Sequence, residues 1–161
     1  MMLRSAVLCL ALAAPVAAQS LDPGPVTPDW SQDYRRAAML FEAGDKLRAG
    51  CVFYRGQFRA RLALAVHGDS APDGMRSRFA ALQEIVGRPI NEWLGGDRAD
   101  WIAAMTCART WAAQNDDPAL PRAAHAAAYA RTLAGLDGLI AGLPPAEALR
   151  ETRAANGLAN R

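Results

Sequence analysis

Between Asp45 and Gly68 the apolar positions Leu47, Cys51, Tyr54, Phe58, Leu62 and Ala65 are spaced by four, three, four, four and three residues. A side chain returns to one side of an α-helix every three or four residues, and to one side of a strand every two. This run is therefore written for a helix with one inward face. The period recurs along the chain. Tyr34, Ala37, Leu40 and Phe41 predict an earlier helix, capped by Asp29 or Ser31 and ending near Gly44. Met75, Phe79, Leu82, Ile85 and Val86 predict a buried face from about Gly74 to Val86, with Gly87 as its stop. Arg88–Leu94 reads as a short helical turn with Gly95-Gly96 behind it. Trp101, Ile102, Met105, Ala108, Trp111 and Ala112 predict a helix over 98–114 capped by Asp97. Ala128, Leu133, Leu136 and Ile140 predict a long one over 122–142, ended by Pro144-Pro145. No stretch alternates apolar and polar residues far enough for a strand. The expectation is an all-α fold of about five helices, an antiparallel bundle or stacked helical hairpins.

The opening residues carry a different signal. Arg4 precedes an apolar run from Ala6 to Ala14, Pro15 breaks it, and Val16-Ala17-Ala18 offers small residues where a signal peptidase reads. That run is far shorter than the ~20 residues a membrane-spanning helix needs. Residues 1–18 are expected to be a signal peptide, and the remainder a soluble protein of the periplasm or the medium, without stable membrane insertion. Residues 19–28, with three prolines, read as an extended lead-in. A helical domain is expected over 29–143, and a C-terminal tail over 144–161, at best a frayed helix.

Cleavage near Ala18 also settles the cysteine arithmetic. Cys9 leaves with the signal, and Cys51 and Cys107 remain as an even pair in an exported chain, the pattern of a disulfide. Closing a loop of about 57 residues removes denatured-state entropy worth roughly 4 kcal/mol. The formal charge of the whole chain is +2, so no strong field points to nucleic acid.

Motifs of chemistry are sparse. His67 and His125 stand far apart, with no HExxH, CxxC or CxxCH pattern, so neither a metal nor a cofactor is expected. No Gly-x-Ser-x-Gly elbow occurs. Glu84 and Glu92 flank the Gly87 turn and are the carboxylate pair that could serve glycoside cleavage in cell-wall polymer. Arg48, Arg55 and Arg59 recur on the side of their helix opposite the apolar face, with Arg61 and Arg76 nearby in sequence. Such a row reads as a solvated face, or as a grip for phosphate or carboxylate groups. Gly56 is out of place mid-helix, and close approach of another backbone would account for it. The segment Gly87–Asp97 gathers Arg88, Asn91, Glu92 and Trp93 between rigid punctuation; such loops carry binding, and Trp and Arg are common anchors. Alternatively, Ile90 and Trp93 plug the end of the bundle.

Two resemblances follow from these residues. Phe53-Tyr54-Arg55-Gly56-Gln57-Phe58-Arg59, followed by Gly87-Arg88-Pro89-Ile90-Asn91-Glu92-Trp93, resembles small exported bacterial proteins of unknown function, which implies no activity. The hairpin over 37–58 resembles a tetratricopeptide or Sel1-type repeat, although that repeat's small residues fall out of register and no second copy follows. The expected function is non-catalytic binding of another envelope or secreted protein, as an inhibitor, an immunity-type partner or an envelope accessory factor. The candidate binding residues are Arg55, Arg59, Arg88, Asn91, Glu92 and Trp93.

Overall fold

A computed structural model describes residues 21–161, so the expected signal peptide and the first two residues of the lead-in lie outside the described residues. Among the described residues seven α-helices follow one another: α1 (Ser31–Glu42), α2 (Lys46–His67), α3 (Met75–Leu82), α4 (Arg88–Leu94), α5 (Arg98–Gln114), α6 (Arg122–Ala141) and α7 (Ala146–Ala155). Among the described residues there is no strand, only an isolated bridge between Asp117 and Leu120. The fold is an all-α bundle, and none of these helices is long and apolar enough to cross a membrane.

The bundle is organised around α2. Helices α1, α3, α4, α5 and α6 all pack on it, so every residue from Ala49 to Ala60 is buried. This corrects the expectation of one apolar face. Small residues let the neighbours come close. A Cβ at Gly50 would lie 2.9 Å from Ala104 Cβ, and one at Gly56 2.9 Å from Asp33 Cβ. The odd glycine thus has its reason in α1, through the root of Asp33 and the Tyr34 ring. The cost of enclosing this stretch on every side is that Arg55, Gln57 and Arg59 go inside with it, whereas Arg61 and Ala65 beyond it are exposed. At the α1–α2 turn Gly44 takes φ 87°, and Asp45 N–H donates back to Leu40 O at 3.0 Å. Cys51 and Cys107 are joined, Cα to Cα 5.6 Å, tying α2 to α5.

Two further expectations change. Gly87 does not stop a helix: its φ −72° and ψ −40° are helical, and α3 runs through a π turn (Gln83–Gly87) into α4. The extra residue of a π turn rotates the inward face. Gly87 then meets the Phe53 ring, where a Cβ would lie 2.7 Å from Cζ, and Ile85 is turned out to 71% exposure. The tail, expected to fray, forms α7 and folds back on the α4–α5 region. Arg161 N–H donates to Gly96 O at 3.2 Å, and its guanidinium pairs with Asp100 at 3.0 Å and lies over the Trp93 ring at 3.5 Å.

Candidate functional site

Arg55 and Arg59, both 0% exposed, face the interior. Arg55 donates through Nε to Asp33 Oδ2 at 3.1 Å and through Nη2 to Asp33 Oδ1 at 2.6 Å. Its Nη1 donates to Gly24 O at 2.7 Å, and Nη2 also to Pro25 O at 3.2 Å. Arg59 donates through Nη1 to the same Asp33 at 3.0 Å and through Nε to Asp117 Oδ2 at 2.6 Å, while Nη2 reaches the carbonyls of Thr27 and Pro28. Two cations thus face two anions, and the spare donors are taken up by the backbone of the lead-in. A buried pair survives only when its charges and lone pairs are satisfied in this way. The Asp117 backbone N–H in turn donates to Tyr129 Oη at 2.6 Å, and that hydroxyl donates to Leu120 O at 2.9 Å. In sequence these arginines read as a solvated or ligand-gripping row; the structure corrects this. Their donors are committed within the protein. Of the rest of the row, Arg48 sits near the surface against Asp45 at 3.5 Å, and Arg76 donates to Gly68 O at 2.8 Å.

The other candidates gather at an open groove of about 540 Å³ between the α3–α4 rod, α5 and α7. Glu84, Arg88, Asn91, Glu92, Trp101 and Arg153 line it. Helical spacing puts Glu84, Arg88 and Glu92 on one side of their rod, and Glu84 and Arg88 pair at 2.8 Å. Asn91 is held from behind: Tyr54 Oη donates to Asn91 Oδ1 at 2.8 Å and accepts Trp101 Nε1–H at 2.6 Å. Burial pushes the Tyr54 phenol up to about 12, so at neutral pH it stays a protonated donor. Arg153 caps the end of α4 by donating to Glu92 O. The Glu92 carboxylate is exposed and has no ion-pair partner among the described residues. Trp93 lies off this groove, between Lys46 and Arg161, and Ile90 is buried, so both plug the bundle end.

The structure therefore unites Arg88, Asn91 and Glu92 with Glu84 and separates them from Arg55, Arg59 and Trp93. Sequence reasoning missed Trp101, Tyr54 and Arg153, because the groove's second wall comes from α5 and from a tail expected to fray. Among the described residues no group of three or more His, Cys, Asp or Glu is placed to hold a metal ion. Comparison of the chain with known protein families, with curated proteins and with solved structures finds no match.

Proposed function

We propose that this chain is an exported, non-catalytic binding protein that docks another envelope or secreted protein through the groove walled by Glu84, Arg88, Asn91 and Glu92. One observation carries the reading: Arg88, Asn91 and the unpaired Glu92 line a single open groove, and Asn91 is pre-oriented by a buried tyrosine. Pre-set polar groups around an exposed charge suit recognition by shape and charge. Export and cleavage after Ala18 are part of this proposal and rest on the sequence of residues 1–18.

The experiment is site-specific photocrosslinking from position 92 in cells that produce the full chain. A discrete protein adduct, lost when Arg88→Glu or Asn91→Ala is added, is the expected result. No adduct, or one indifferent to both substitutions, overturns the reading.

A second reading, a cell-wall hydrolase, is favoured by Glu84 and Glu92 lining the same groove. Its weakness is that Glu84 is engaged by Arg88 at 2.8 Å, which leaves only Glu92 of the two carboxylates without a partner among the described residues. Turnover of purified cell-wall polymer, abolished by both Glu84→Gln and Glu92→Gln, would replace the binding reading with this one.

A further inference from the structure

Gly95 and Gly96 leave room for two arginines of the tail. A Cβ at Gly96 would lie 2.9 Å from Arg161 Nε, and one at Gly95 3.2 Å from Arg153 Nη1. Arg161 is held on three sides. Its guanidinium lies over the half-buried Trp93 ring at 3.5 Å and pairs with Asp100 Oδ2 at 3.0 Å, while its backbone N–H donates to Gly96 O at 3.2 Å. An indole face beside a carboxylate is the chemistry that receives a guanidinium. Arg153 donates to Glu92 O next to it. Gly157, at φ 69°, turns the chain after α7: Leu158 N–H donates to Arg153 O at 2.9 Å, and Arg161 comes back to Gly96.

Beyond a bond from Arg98 Nε to Pro144 O at 2.9 Å, little else fastens this segment. Helix α7 buries none of its residues. Its Leu149, and Leu158 after it, are only partly covered, at the wall of the Glu84–Glu92 groove. Between α7 and the start of α5 lies a further opening of about 370 Å³, reaching from Gly96 and Ile102 to Ala146 and Arg150. Pro144-Pro145 joins α7 to α6 and breaks the helix between them. A segment with so few buried apolar contacts opens without the rest of the fold.

We infer that Trp93, Gly96 and Asp100 form an arginine-recognition site, filled in cis by residues 144–161 and taken by an arginine-bearing segment of the partner when this strap lifts. This rests on the docking role proposed for the neighbouring groove, whose α7 wall leaves with the strap. The arginine already seated shows the chemistry that the site accepts. A second copy of the chain is the poorer occupant. Its tail would only remake contacts that the cis tail makes at far higher effective concentration. A different partner adds contacts of its own in the groove.

The test uses the purified protein, its Arg153→Ala, Arg161→Ala double variant, and a labelled synthetic peptide of residues 146–161 as the probe. Amide hydrogen exchange over 146–157 should quicken by about tenfold or more in the double variant, while α2 keeps its protection. The peptide should bind the double variant saturably, and the intact protein at least about tenfold more weakly, because the cis tail competes there. Arg161→Ala within the peptide, or Asp100→Asn added to the double variant, should remove that binding. Unchanged exchange of the strap, no binding by the double variant, equal binding by the intact protein, or indifference to Asp100→Asn overturns the assignment. Dimerisation of the intact protein that Asp100→Asn abolishes would give the site to a second copy and overturn it likewise. Crosslinking from position 92 is independent of the peptide, so the groove reading and the arginine site can fail separately.

Discussion

Arg55 and Asp33 meet through two parallel bonds, Nε to Oδ2 at 3.1 Å and Nη2 to Oδ1 at 2.6 Å, with 0% and 3% of their side chains exposed. The pair locks α1 to α2 and, through Arg59, extends to Asp117 in the α5–α6 connection. Because the remaining donors take the carbonyls of Gly24, Pro25, Thr27 and Pro28, the same cluster straps the lead-in to the bundle.

Asp33→Ala leaves two buried guanidiniums facing one carboxylate. Breaking such a pair from one side costs about 3–5 kcal/mol. Urea denaturation should show that loss, and Asp33→Leu combined with Arg55→Met should recover part of it, because both charges leave together. A loss under about 1 kcal/mol would mean the cluster is not closed to water.

Deleting residues 21–28 removes acceptors for both arginines. We expect a loss of about 2–3 kcal/mol, since bonds to charged groups are the stronger ones. Thr27→Ala should change little, because the backbone carbonyl makes the contact. Thermal unfolding of the three proteins decides the matter.

Gly56 and Gly135 both lie inside helices, and alanine should act in opposite senses at the two. At Gly56 the new Cβ comes within 2.9 Å of Asp33 Cβ, so the nearly 1 kcal/mol gained in helix propensity is outweighed by crowding worth about 1–3 kcal/mol. At Gly135 nothing lies within 4 Å and the gain remains. Paired denaturation curves should show midpoints moving apart.

Burial raises the pKa of each of Tyr34, Tyr54 and Tyr129 above the ordinary 10.0, Tyr54 to about 12. The folded state then holds protons that the unfolded chain releases. The resulting stability is complete below pH 10 and is lost as pH rises toward 12. Tyrosinate absorbance should therefore appear together with loss of helical circular dichroism. An ordinary titration in the folded protein would contradict this.

Reduction of Cys51–Cys107 should lower stability by roughly 4 kcal/mol through the freed loop. Cys51 is 0% exposed but Cys107 is only partly buried and lines an open groove, so mild reductant should reach the bond from the Cys107 side in the native protein and cleave it faster once urea is present. Thiol counting across a urea series checks this.

Local signals carried the sequence reading well where one helix meets one surface. The α5 range, its Asp97 cap (accepting from Ala99 N–H at 2.8 Å), the inward Ala128 and Leu136 and the disulfide were all written in spacing and residue type. Elsewhere a neighbour decided. Gly87 looks like a stop, and continues the helix because Phe53 needs the room. Arg55 and Arg59 look like a polar face, and lie inside because Asp33 and Asp117 arrive from other elements.

Periodicity and caps thus determined an all-helical chain, because each depends on residues within a turn or two, and the single bridge followed from the expectation that Cys9 leaves an even pair behind. Tertiary structure alone decided that α2 is enclosed on every side from Ala49 to Ala60, that Arg55 and Arg59 hold the lead-in, and that Arg88, Asn91 and Glu92 share a groove with a folded-back tail. The reason is physical: burial and charge pairing depend on which surfaces meet, and residues such as Asp33 and Asp117 come together only once the helices have packed.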